Sequence, residues 1–135
     1  MPLPKINTPT YELTLPSNGK KIKYRPFLVR EEKVLILALE SEDTKQITSA
    51  IKATLKECIL TRGVKIDELP TFDIEYIFLN VRGKSVGEAI ELVVTCPDDG
   101  ETTVPTTVYI DEINVIQSDE HTNEIDLDGN LTLKM

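Results

Sequence analysis

The sequence predicts an α+β fold made of an N-terminal β-hairpin, three helices and C-terminal antiparallel β-hairpins. Three observations carry this. Apolar and polar residues alternate with period two at both ends of the chain, around residues that suit tight turns. Helical periodicity is confined to the middle, roughly residues 29–82. Strands grouped at the ends, with helices between them, disfavour a doubly wound parallel sheet, in which the two alternate. At 135 residues the chain suits one domain, and with 40% hydrophobic residues but no Trp its core is aliphatic.

In chain order, Pro2, Pro4 and Pro9 keep the first residues extended. Tyr11, Leu13 and Leu15 alternate with Glu12 and Thr14, Pro16-Ser17-Asn18-Gly19 supplies a turn, and Ile22, Tyr24 and Pro26 alternate with Lys21, Lys23 and Arg25. Together these predict the first hairpin. Val29–Glu40 reads as a helix that opens with Glu31-Glu32, where the helix dipole favours acids. Its centre, VLILAL, is apolar on every side and requires burial on more than one, inside this domain or against another chain. Asp43 with Gln46 resembles a capping box. It starts a second helix whose stripe is Ile47, Ile51, Leu55, Cys58 and Ile59, with Gly63 as its expected stop. A third helix spans roughly Phe72 to Arg82, with Phe72, Tyr76 and Leu79 as its stripe, broadened by Ile74, Ile77, Phe78 and Val81. Ala89 to Thr95, a Cys96-Pro97-Asp98-Asp99-Gly100 turn and Thr102 to Ile110 predict the second hairpin. After a polar linker over 117–124, Ile125, Leu127, Leu131 and Leu133 flank Asp128-Gly129-Asn130 as a small third hairpin. Residues 1–116 are expected to form a single domain. Residues 117–135 are expected to be an acidic linker with a small hairpin, or the start of a C-terminal extension.

Charge is divided along the chain. Residues 1–30 carry six bases against one acid, whereas residues 98–135 carry ten acids against one base, within a net charge of −8. The acidic end repels phosphates, which argues against nucleic acid as a partner. The longest apolar run, Val34–Leu39, is far short of the roughly 20 residues that span a bilayer, so no stable membrane association is predicted. The first residues lack the apolar stretch of a secretory signal, and two cysteines are too few for a disulfide framework.

No constellation for catalysis emerges. His121, the single histidine, lies among acids in the polar linker, and Cys58 lies on an apolar helical stripe. Arg82-Gly83-Lys84-Ser85 lacks the upstream glycine of a phosphate loop and reads as a basic helix end. The paired carboxylates are sequence neighbours explained by helix starts, turns and loops. Asp126 and Asp128 lack the later glutamate of a calcium loop. In Cys96-Pro97-Asp98-Asp99-Gly100, Asp99 stands where a zinc knuckle has its second cysteine, and no later CxxC pair completes a site. The expectation is no enzyme activity, no cofactor, no metal and no disulfide.

Two ordered blocks carry a family resemblance. TPTYELTLPSNGKKIKYRPFLVREEKVLILALES, residues 8–41, resembles the N-terminal part of the T-even bacteriophage baseplate hub assembly proteins, and FDIEYIFLNVRGKSVGE, residues 72–88, resembles the second signature of that family. The resemblance covers about residues 1–116. Some relatives carry a zinc-ribbon-like cysteine pattern where this chain keeps only Cys96, so no metal role transfers, and family members tend to continue past this chain's last residue. The resemblance implies a small protein of contractile-tailed phages, of cyanophage type. It would be made in the host cytoplasm and needed to build the baseplate hub, as an assembly chaperone or a hub component. The alternative is a permanent structural subunit of the tail or baseplate in the virion. The implied partners are other hub or tail proteins.

For how such partners are held, the sequence offers an extended arm bearing Leu3, Ile6, Tyr11, Leu13 and Leu15, suited to adding a strand to another protein's sheet. Beside it, Lys20, Lys21, Lys23 and Arg25 would steer an acidic surface, with the acidic C-terminal part of a second copy as one candidate.

Overall fold

The computed structural model describes Pro4 and residues 7–135. Strands β1 (Tyr11–Thr14) and β2 (Lys21–Tyr24) pair antiparallel, with Leu13 opposite Ile22 and Tyr11 opposite Tyr24. Alternation sends Leu13, Ile22 and Tyr24 inward, and Leu15 continues that row past the strand end. The free edge of β2 is covered by the segment after the second helix. Leu60 N–H donates to the Lys23 carbonyl (2.8 Å), Arg25 N–H to the Cys58 carbonyl (2.9 Å), and Lys23 N–H to Thr61 Oγ1 (2.8 Å).

The three expected helices form: α1 (Val29–Glu40), α2 (Thr44–Cys58) and α3 (Thr71–Val86). Asp43 caps α2 by accepting the Lys45 N–H, but the Gln46 side chain donates to the Asp43 carboxylate rather than completing a capping box. Helix α2 ends at Cys58, not near Gly63, because Ile59 turns extended to bridge Tyr24. Helix α3 runs on through Gly83 to Val86, past the expected end at Arg82. Gly83 is a packing position, since a Cβ there would lie 3.2 Å from Ile110 Cδ1, and Gly87 at φ +132° ends the helix. Apolar residues lie all round α3, so periodicity alone misplaces its core face. Ile77 and Val81 are fully buried, while Phe72 is exposed. They join Leu13, Leu15, Ile22, Tyr24, Leu55, Cys58 and Ile66 in one core between the first hairpin, α2 and α3.

Strands β3 (Ala89–Thr95) and β4 (Thr103–Tyr109) form the second hairpin, with Val93 opposite Pro105. Ile110 N–H donates to the Glu88 carbonyl at its base (2.8 Å), and only Ile90 and Val108 of the two strands are partly covered. The following strap is tied back where Gln117 Nε2 donates to the Pro16 carbonyl (2.9 Å). Strands β5 (Glu124–Asp126) and β6 (Thr132–Lys134) close the third hairpin, whose turn is held by Gly129 N–H on Asp126 Oδ1 (2.9 Å). Each pair is a separate two-stranded antiparallel sheet, so the predicted α+β order stands.

Candidate partner-binding surface

Helix α1 is capped at its ends, and most of its apolar side chains between them are exposed. At its start Glu31 is 3% exposed. Its carboxylate accepts the Leu28 N–H (2.9 Å) and pairs with Arg25 Nη2 (2.7 Å), while Arg25 Nη1 donates to the Pro26 carbonyl. Burial pushes the Glu31 carboxyl up, but the Arg25 hydrogen bond and the backbone N–H groups outweigh it and hold it below the usual carboxylate range. At the other end Ser41 Oγ donates to the Ala38 carbonyl (2.6 Å). Between these clamps α1 packs on α2, where Ala38 and Ala50 are the buried residues. Of the rest of VLILAL, Leu35 is half-buried and the other four residues are exposed. Leu37 is 66% and Leu39 61% exposed, and Val29, Val34 and Ile36 are exposed beside them. Exposed aliphatic side chains concentrated on one helix, with Leu37 bordering the groove on the α2 side and Leu39 the cleft on the other, mark an interaction surface.

Helices α1, α2 and α3 border an apolar cleft of about 310 Å³ lined by Phe27, Leu35, Leu39, Ile51, Phe78 and Val86. Its floor is fixed: the Phe27 and Phe78 rings lie 6.0 Å apart, and Phe27 N–H donates to Ser85 Oγ (2.8 Å). Glu32 and Arg82 are the charged groups in its wall, and Arg82 Nη1 is buried with no hydrogen-bond partner among the described residues.

The residues picked from sequence do not gather into one surface. Leu3 and Ile6 lie outside the described residues. Leu13 is 7% exposed and belongs to this chain's own core, so its side chain is not offered to a partner's sheet. Leu15 is buried with it, because the hairpin lies on α2 and α3 instead of extending freely. Tyr11 is half-buried, its ring 5.8 Å from Tyr24 and beneath Lys84 Nζ at 5.3 Å. Arg25 is a structural cation locked onto Glu31, not a free steering charge. Lys21 and Lys23 remain exposed, with Lys21 Nζ 3.6 Å from Glu12. VLILAL leaves open burial inside this domain or against another chain, and most of its side chains are not buried in this chain. The Ser17–Asp73 contact had no sequence signal: Asp73 looks like any first-turn acid, yet it is fully buried and accepts both the backbone N–H (3.2 Å) and the hydroxyl of Ser17.

The groups considered for chemistry serve local structure. Cys58 is buried on α2, and burial pushes its thiol up to about 11. The Asp99 carboxylate accepts the Thr102 hydroxyl and the N–H groups of Thr102 and Glu101, which hold its pKa below the usual range. His121 is exposed in the strap. Among the described residues no helix is long and apolar enough to cross a membrane.

A protein-family model described as T4 bacteriophage base plate protein matches residues 8–135, from just before β1 through the last hairpin. No curated protein and no solved structure matches the chain.

Proposed function

The chain belongs to the T4 bacteriophage base plate protein family, and from that premise we propose that it works without catalysis, building the baseplate hub by binding neighbouring proteins as an assembly chaperone or hub component. Membership in this family makes other phage baseplate proteins its partners and phage assembly in the host its setting. The observation that supports hub assembly by binding is α1, where the apolar side chains of Val29, Val34 and Leu37 stand out from a helix clamped at both ends. Fully covering an aliphatic side chain stabilises a complex by about 1.5–3 kcal/mol, so a few such residues on a rigid helix give a usable interface. In this reading the arm with Leu3 and Ile6 adds contact, exposed Lys21 and Lys23 steer acidic partners, and residues 117–135 are an acidic segment appended to a body spanning 1–116.

The test is capture of baseplate proteins from infected cells by the tagged full chain, compared with Leu37→Ser. Because Leu37 lies in solvent, the substitution should leave urea stability within about 0.5 kcal/mol of wild type and weaken capture about tenfold or more. Equal capture by both chains refutes the α1 interface. Proteomics of purified virions then separates the roles: stoichiometric persistence assigns a permanent subunit, absence a chaperone.

A further inference from the structure

The second hairpin has one bare pairing edge. Cys96 N–H bonds the Thr102 carbonyl and Ile110 N–H the Glu88 carbonyl, so the even-numbered residues of β3 direct their backbone groups to β4. The N–H and C=O groups of Ala89, Glu91, Val93 and Thr95 therefore point away from the hairpin. All four residues are exposed, and none of these groups bonds another described residue.

Elsewhere the chain protects its strand edges. That of β2 is covered by Leu60, that of β4 carries Pro105, and β1, β5 and β6 have four residues or fewer. Strand β3 has none of these protections. It runs for seven residues in unbroken register, with no proline, lysine or arginine. A two-stranded hairpin is marginal by itself in water, whereas a wider sheet with an apolar face is stable. Leu92, Val94 and Val104 supply such a face on one side of this hairpin, and all three are exposed.

We propose that β3 pairs antiparallel with β3 of a second copy about a two-fold axis at Val93, giving a four-stranded sheet in the order β4-β3-β3-β4. The strand itself selects its own copy over a foreign one. Val93, 69% exposed, is covered by Val93 of the second copy. Glu91, the one charge in β3, falls opposite Thr95 of the second copy and not opposite itself. Leu92 falls opposite Val94 of the second copy, so the two apolar faces join. The edges left outside are those of β4, each interrupted at Pro105, and the assembly closes at two copies. The pairing adds about six backbone hydrogen bonds. It is smaller than the roughly 800 Å² per partner of a standard interface, so a dissociation constant of about 0.1 mM is expected. The contact uses no residue of α1 and is independent of hub binding through Leu37.

Sedimentation equilibrium of the full chain, from about 10 μM to about 1 mM, should show a mass that rises towards twice that of the chain and no further. Amide hydrogen exchange at Glu91, Val93 and Thr95 should be about fourfold slower at the concentrated end. Val93→Pro removes an outward donor and no bond of the hairpin, and Val93→Lys sets like charges on the axis. Each should leave the urea midpoint unchanged, because β3 lies outside the core, and weaken association about tenfold or more. A monomer at every concentration overturns the proposal, as does association that both variants leave intact, or a mass that climbs past two copies. A monomer that loses a baseplate partner on Val93→Pro also overturns it and assigns the edge to a foreign strand. A Val93→Pro chain that no longer self-associates yet keeps Leu37-dependent capture supports the pairing and separates it from hub binding.

Discussion

Replacing Glu31 by Gln tests whether the clamp at the start of α1 is what holds that helix in place. The substitution keeps the side chain's size and a hydrogen-bonding oxygen for the Leu28 N–H, but it removes the charge opposite Arg25. The Arg25 side chain is 11% exposed and stays charged, so it is left with little water and no counterion. Breaking a buried pair from one side costs about 3–5 kcal/mol. The water that reaches Arg25 and the retained cap bring our expectation to about 2–3 kcal/mol. A domain of this size has about 5–15 kcal/mol in total. With a urea slope of about 1–3 kcal/mol per molar, the midpoint followed by circular dichroism should fall by about 1–2 M. The sign with pH follows from the direction of the Glu31 shift. Its folded pKa lies below the ordinary value of 4.5, so its contribution is complete above that value and is lost as pH falls through the folded pKa. The gap between wild type and Glu31→Gln should thus be full at neutral pH and close on acidification below about 4.5. A variant within about 0.5 kcal/mol of wild type at neutral pH, or a gap that persists in acid, would refute the argument.

Gly83→Val should destabilise the fold by about 1–3 kcal/mol in the same urea assay, since it forces branched carbons against Ile110, whereas an unchanged midpoint would show that Ile110 yields freely. In the native protein at pH 8 a thiol reagent should modify Cys96 first and leave Cys58 untouched until unfolding, because burial pushes the Cys58 thiol up to about 11; equal native rates would contradict that burial. Lys21→Glu with Lys23→Glu should slow association with a baseplate partner at low salt and leave dissociation nearly unchanged, as measured by surface-based kinetics; an effect confined to dissociation would count against steering.

Element type was legible wherever pattern and turn chemistry agreed, as in the first hairpin, where alternation placed Leu13, Ile22 and Tyr24 on one face. What alternation could not say is what that face meets. Leu13 looks the same whether it awaits a partner's sheet or lies on α2 and α3, which arrive more than thirty residues later in the chain. VLILAL poses the same ambiguity with a different outcome, since its composition suits a central core helix yet only Ala38 is buried and Val34, Ile36, Leu37 and Leu39 are exposed. Helix ends shifted where a long-range contact overrode a local signal. Ile59 leaves α2 early to bridge Tyr24, and Gly83, locally a stop, stays helical because Ile110 packs against it. Arg82 read as part of a basic helix end, and only the packing of three helices exposes its unmatched nitrogen to notice.

Pro105 gives the second hairpin a direction. Cys96 N–H bonds the Thr102 carbonyl and Ile110 N–H bonds the Glu88 carbonyl, so hydrogen-bonded pairs fall on alternate positions and Val93–Pro105 lies between two of them. The Pro105 nitrogen thus faces away from β3, where its missing hydrogen costs the ladder nothing and interrupts the row of donors on the outer edge of β4. The two margins of this apolar, solvent-facing arm are therefore unequal. An incoming strand meets a broken template along β4 and an unbroken one along β3, so edge-to-edge stacking of the arm can proceed on one margin only.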